Sequence, residues 1–332
     1  MFQGITNGSA IIAVSIQGAF KFPRLFVPLI FCWLLYAPIL VYLYFDFPWE
    51  NYGFSTQLVV FFLWILFLSS ILSLSCFVLL ELVRQIETNE TQSFATALST
   101  GVKNTAHAFP IVIVWASIWF LISVVEMILD SLTKQRWRSG DEERSLKGIA
   151  MTLGGYQEFS FSTVFFEALR KGVRMIAFLI FPAIAWEKKG IVESTKKGIS
   201  VASTHFKHFA AGYALTWLAA FLIFLPASLL IWINEKFDFN YPDTLWMAII
   251  IYIGFSWSLS MLIEQLFVAE LYLWHLIWEK EKQAAYDRGD PEPSLEDVKR
   301  PSIIDGVPDM FLTRLESPAN KRMQSDAAKP RR

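Results

Sequence analysis

Five stretches of the chain, each roughly 20 residues long, contain no charged side chain. They are residues 25–45, 57–80, 108–125, 209–234 and 244–263. A bilayer core of about 30 Å requires about 20 apolar residues in a helix that crosses it. Since the bilayer offers the backbone no hydrogen-bond partner, spanning segments with this pattern are helical. The sequence therefore predicts an all-α fold, a polytopic membrane helical bundle.

The overall composition agrees with a membrane protein. Hydrophobic residues make up 54% of the chain and charged residues 18%, against about 25% charged in a soluble domain. A net charge of -1 gives no reason to expect nucleic acid as a partner. Cys32 and Cys76 lie inside apolar runs, so we expect buried free thiols rather than a disulfide. The first charges are Lys21 and Arg24, directly before a full-length run, which favours a retained first span over a cleaved signal peptide.

A sixth apolar run, residues 175–186, is too short to cross a membrane alone. Extending it back to residue 164 gives the required length and includes four charged residues. Six spans keep most of the 29 Lys and Arg residues on one side, together with both termini. Five spans would place either the Lys-rich loop near Lys188 or the basic tail on the other side. We therefore predict six spans in a bacterial cytoplasmic (inner) membrane, with both termini cytoplasmic.

Residues 1–280 are predicted to form the six-span membrane domain. Mildly amphipathic stretches rich in Ser and Ala precede spans one, three and five and are predicted as interfacial helices. Residues 281–332 are charged, interrupted by Pro and poor in large apolar residues, which predicts a disordered cytoplasmic tail.

Motifs of soluble enzymes are absent from the sequence. It contains no phosphate-binding P-loop, no GxSxG nucleophile motif, and no HExxH or paired CxxC zinc motif. His205 and His208 have the spacing of two ligands on one helix face, but no third ligand is near, so an ordinary interfacial pair is favoured. We expect no enzyme activity, no metal and no cofactor.

The most informative side chains are charges within predicted spans, because such charges are costly in lipid and usually face the bundle interior. Span four carries four at helical spacing, and the outer end of span three carries two carboxylates at matching depth. The set is Glu126, Asp130, Glu167, Arg170, Lys171 and Arg174. Three interpretations remain open: an interhelical ion cluster that fixes helix register, a polar cavity that binds an anionic headgroup or solute, and snorkelling to the interface.

A second polar line lies on span six, nearer the cytoplasm. It comprises Glu264, Gln265, Glu270 and His275. Transporters use intramembrane carboxylates of this kind as proton or cation sites, and a structural role is the alternative.

The segment "FPAIAWEKKGIVESTKKGISVASTHF" combines an apolar span containing Pro182 with Glu187, Gly190 and a basic amphipathic helix. In this pattern, and in "GSAIIAVSIQGAFKFPRLFVPLI", the chain resembles the DUF6159-type family of uncharacterised six-span bacterial and archaeal membrane proteins. It also resembles the membrane regions attached to glycerophosphodiester phosphodiesterases. The resemblance implies six spans and no assigned activity. The last residues, "PANKRMQSDAAKPRR", resemble a translated integron-cassette recombination site.

Three classes of function are compatible with the sequence. The first is a membrane-embedded binding or transport-like module for lipid or a small solute. The second is a structural or assembly subunit of a membrane complex, and the most distant is an intramembrane enzyme acting on lipid. The expected partners are membrane lipid and, through association in the membrane, other membrane proteins or further copies of this chain.

Overall fold

The computed structural model describes residues 17, 20–88, 93–133, 146–154, 161–237, 239 and 241–298. This part of the chain contains α-helices and short 3-10 turns, and no strand. The all-α prediction is therefore confirmed. The helices are α1 (Val27–Phe45), α2 (Phe54–Glu87), α3 (Phe94–Thr133), α4 (Leu146–Gly154), α5 (Phe161–Ala185), α6 (Ile191–Thr204), α7 (Phe206–Phe237) and α8 (Asp243–Arg288).

Five helices of the described part are long and apolar enough to cross a membrane. They are α1 with its preceding 3-10 turn, α2, α3, α7 and α8, and each contains one of the five uncharged runs. Large apolar side chains cover their outer surfaces, as with Leu34, Leu63 and Leu121, which are each more than half exposed. So much exposed apolar surface is unfavourable in water, which supports a multi-pass membrane protein. Both cysteines are free and buried, as predicted.

Helix α5 does not meet the same criterion of length and composition, yet it lies at the centre of the bundle. From Met175 to Trp186 nearly every side chain is buried, because α5 packs against α2, α3, α6 and α8. The Phe181 ring lies 4.6 Å, centroid to centroid, from that of Phe77 on α2. The Trp186 indole donates a hydrogen bond to the Leu80 carbonyl at 3.2 Å. The run that looked too short in the sequence is therefore enclosed by protein.

Two glycines allow successive helices to pack closely. A Cβ at Gly101 of α3 would lie 2.7 Å from Val78 Cγ2 of α2, and a Cβ at Gly198 of α6 would lie 2.8 Å from Ile180 Cγ1 of α5. In both pairs a helix turns back beside the helix that precedes it. The chain then differs between the two: α3 continues unbroken, whereas α6 ends at Thr204 before α7 begins.

This difference corrects the prediction of a separate interfacial helix before span three. The stretch from Phe94 onward is the first part of α3, which stays helical through Pro110 because it packs along α2. Before span five a separate helix is present, namely α6, and the backbone bends at His205 (φ -110°, ψ 34°). The stretch before span one lies largely outside the described residues.

The predicted domain boundary at residue 280 lies inside a helix. Helix α8 continues to Arg288 and ends at Gly289, whose φ of 77° favours glycine. The chain then folds back, and the Trp278 indole donates to the Pro293 carbonyl at 2.8 Å. Trp274 similarly donates to the Val298 carbonyl at 3.1 Å. Residues 299–332, which include the stretch resembling a recombination site, lie outside the described part.

Candidate functional site

The first half of α5 carries the charged residues that interrupt its apolar sequence. Arg170 forms an ion pair with Glu126 of α3. The Trp119 indole, also on α3, donates to the Arg170 backbone carbonyl at 3.3 Å. The side chains of Arg170 and Glu126 remain 22% and 16% exposed. The contact between α3 and α5 is therefore closed by a partly buried, charge-balanced pair.

The next two cations of α5 converge on one carboxylate of α8. Arg174 donates from Nε to Glu264 Oε2 and from its terminal nitrogen to Oε1, each at 3.0 Å. This two-point geometry gives the strongest type of Arg–carboxylate contact. Lys171 Nζ lies 3.0 Å from Glu264 Oε1. The Glu264 side chain is only 3% exposed, so the charges face one another within the bundle.

The Lys171 ammonium is enclosed with few hydrogen-bond partners. Its 3.0 Å contact with Glu264 is an ion pair, and within the described part Nζ makes no hydrogen bond of regular geometry. Nζ also lies 5.3 Å from the centre of the Tyr213 ring on α7, a cation–π distance. The Tyr213 hydroxyl donates to the Ala168 carbonyl of α5 at 2.7 Å, which holds the ring against α5. An ammonium has three N–H donors, so Lys171 keeps unused donor capacity at this position.

The remaining two members of the first predicted set stand apart from these contacts. Glu167 is exposed and acts on Lys171 only through electrostatic attraction. Asp130 lies in α3, but its side chain is outside the described part. Counted over the described buried side chains, Lys171 and Arg174 therefore share the single carboxylate of Glu264.

The second predicted line does not form one site. Glu264 belongs with the cations of α5, although the sequence placed it nearer the cytoplasm. That estimate measured depth from the start of the apolar run, whereas α8 is 46 residues long and exceeds the bilayer thickness. Gln265 and Glu270 are buried on α8, and neither amide atom of Gln265 has a hydrogen-bond partner within the described part. His275 lies in a different cluster, at the end of α8.

That cluster joins three helices at the predicted cytoplasmic end, and the sequence analysis did not identify it as a site. His205 Nε2 and His275 Nδ1 lie 2.9 Å apart. His275 Nε2 lies 3.2 Å from Glu279 Oε1, and Glu279 also pairs with Lys197 of α6. Burial lowers the pKa of His205 to about 4, and the neighbouring His275 and His208 add to this effect. The available sequence signal was the carboxylate that ends the apolar segment of α8, Glu279.

A similar carboxylate, Glu187, follows α5. It accepts a hydrogen bond from the Tyr272 hydroxyl of α8 and forms an ion pair with Lys189 at 2.7 Å. Burial lowers the pKa of the neighbouring Lys188, while Glu81 opposes the shift. Glu187 and Glu279 both line an open cleft of about 520 Å³ beside the last turns of α8.

A metal centre is not supported by the described residues. Among them no group of three or more His, Cys, Asp or Glu side chains has an arrangement that could hold a metal ion. The pair His205 and His208 does not act as two ligands on one face, since the His205 ring faces His275 and the His208 ring packs on Trp274.

Comparison with known proteins adds no further assignment. No family model, no curated protein and no solved structure matches this chain.

Proposed function

We propose that the chain is a six-span protein of a bacterial inner membrane, with both termini in the cytoplasm. The length of α5 supports the sixth span, because 25 residues extend about 37 Å at 1.5 Å per residue. Its burial and ion pairs support it further, since charges at membrane depth persist where neighbouring helices satisfy them. Six spans also keep the Lys-rich α5–α6 loop on the positive, cytoplasmic side. We place the chain with the DUF6159-type family on the segment around Pro182 and Glu187, which links α5 to α6.

Within this bundle we propose a binding or transport-like module for an anionic lipid or a small anionic solute. The observation that carries the proposal is the excess of positive charge where Lys171 and Arg174 share Glu264. A buried charge without a counter-charge is costly, so the site favours an additional anion. Lys171 supplies the donor groups, because its ammonium has unused N–H capacity. The ligand chemistry is a phosphate or carboxylate group, carried by a lipid headgroup or by a free solute.

The test is ligand-dependent stabilisation of the protein purified in neutral detergent. Phosphatidylglycerol, phosphatidylcholine and inorganic phosphate are added separately, and the thermal midpoint and bound lipid in native mass spectra are recorded. A ligand at 100 times its Kd stabilises by about 2.7 kcal/mol. Stabilisation by phosphatidylglycerol alone indicates a lipid headgroup, and stabilisation by phosphate indicates a free anion.

Two variants make this experiment specific. Lys171→Met should abolish the stabilisation and leave the protein folded, since Glu264 retains its two-point contact with Arg174. Lys196→Met is the matched control, because Lys196 is exposed on α6 and should leave the stabilisation unchanged. Equal stabilisation of the wild type and Lys171→Met, or none with any anion, contradicts the proposal.

A second candidate function is a structural or assembly subunit of a membrane complex. The pair Arg170–Glu126 favours it, because this pair is charge-balanced and joins α3 to α5 without unused donor capacity of the kind found at Lys171. On this alternative the charged cluster fixes helix register, and anions leave the thermal midpoint of every variant unchanged.

A further inference from the structure

The histidines at the cytoplasmic end of the bundle hold together segments that are distant in sequence. His205 occupies the bend between α6 and α7, and His275 lies near the end of α8. Both rings are buried, with 5% and 2% of their residues exposed, and both pack against the Trp278 ring at centroid distances of 5.2 and 5.5 Å. The contact between the two imidazoles therefore fastens the α6–α7 bend onto α8.

The charged neighbours determine how protons are arranged in this contact. Glu279 lies 3.2 Å from His275 Nε2, and a carboxylate at this distance favours a proton on that nitrogen. Nδ1 of a neutral His275 is then an acceptor, and His205 donates to it from Nε2 across 2.9 Å. The other titratable group facing His205 is His208 of α7, while Lys197 of α6 pairs with Glu279. The result is a chain of contacts from His205 through His275 and Glu279 to Lys197.

Such a contact accepts one proton between the facing nitrogens and cannot accept two. When both imidazoles are protonated, each presents an N–H to the other, and two positive charges meet in a buried site. Only Glu279 is present to offset them among the groups that face the pair, and Lys197 already shares its charge. Glu279 also lines the open cleft, which gives protons a route to this end of the chain of contacts.

We propose that the His205–His275 contact is a proton-sensitive latch that holds the α6–α7 bend on α8 at neutral pH and releases it in acid. The proposal is independent of anion binding at Lys171. Burial lowers the pKa of the latched His205 to about 4, whereas a free imidazole titrates near 6.5. Between these values the released state takes up the proton more readily than the latched state. The latch is therefore fully stable above about pH 6.5 and loses stability as the pH falls towards 4.

The first test is a titration of the histidine side chains by NMR. The chain contains 4 His residues, so ¹⁵N-histidine labelling in detergent micelles gives few signals, which single His→Gln variants assign. His205 should titrate with a midpoint near 4, and the exposed His107 on α3 should titrate near 6.5. A His205 midpoint near 6.5 overturns the latch.

The second test measures release directly by hydrogen exchange at pH 7.5 and pH 4.5, corrected for the intrinsic rates. Acidification should increase exchange in α6 at least about tenfold, since the two pKa values differ by more than two units. The double variant His205→Gln/His275→Gln cannot titrate and should lose this increase, while His107→Gln, the matched control, should keep it. Unchanged protection in the wild type, or the same increase in the double variant, contradicts the proposal.

Discussion

The substitution Glu264→Gln removes the charge shared by two buried cations and keeps the size of the side chain. Glu264, Lys171 and Arg174 have side chains only 3%, 6% and 15% exposed, so neither water nor another described carboxylate replaces the lost charge. Removing one partner of a buried ion pair costs about 3–5 kcal/mol. For a chain of this size the corresponding fall in thermal midpoint is roughly 5–15 °C.

A double-mutant cycle separates the ion pair from other effects of the substitution. Adding Arg174→Gln to Glu264→Gln removes one of the stranded cations, so part of the lost stability should return. We expect a coupling free energy of about 1–3 kcal/mol between the two positions, measured by thermal unfolding in detergent. The pair Glu126–Arg170 should couple more weakly, because its side chains are 16% and 22% exposed.

The crossed pair Glu126–Arg174 provides the matched control. Each of these residues has its ion-pair partner elsewhere, so their coupling should be close to zero. If Glu264–Arg174 couples no more strongly than the crossed pair, the ion pair does not contribute to stability and the reasoning is refuted.

Two further predictions concern the rest of the chain. Deleting residues 317–332, which resemble read-through of a recombination site, should leave membrane accumulation unchanged in quantitative immunoblots, and a loss of accumulation would show that the tail is used. Gly198→Leu should lower the thermal midpoint by several degrees, because its Cβ would meet Ile180 at 2.8 Å, whereas Gly190→Ala, with open space around the new Cβ, should not. Equal midpoints for these two variants would contradict the close packing of α6 on α5.

The sequence predicted those parts of the fold that depend on hydrophobicity alone. Each of the five uncharged runs lies in a long apolar helix, because a helix in lipid must present apolar side chains outward. The length of helices beyond the bilayer was not predictable in the same way. Helix α3 remains unbroken where a separate interfacial helix was expected, and α8 continues past residue 280, since both are stabilised by packing against neighbouring segments.

The candidate site shows the same division. Helical spacing placed Arg170, Lys171 and Arg174 near one another, and the approach of Glu126 to the same helix followed from antiparallel neighbours. The contact with Glu264 depends on how far α8 is shifted along α5, which hydrophobic runs do not specify. The contact between His205 and His275 depends on the bend before α7, for which the sequence contains no marker as strong as Gly or Pro.

The central claim is that α5 crosses the membrane with its charged residues inside the bundle, and reporter fusions on either side of α5 test it most directly. A periplasm-active reporter fused after Gly140 should give signal, and the same reporter fused after Lys196 should give none, because six spans place these two sites on opposite sides of the membrane. Fusions after Tyr52 and Gly289 calibrate the outer and inner signals. Equal signal after Gly140 and Lys196 would mean that α5 does not cross, and would contradict both the six-span topology and an anion site at membrane depth.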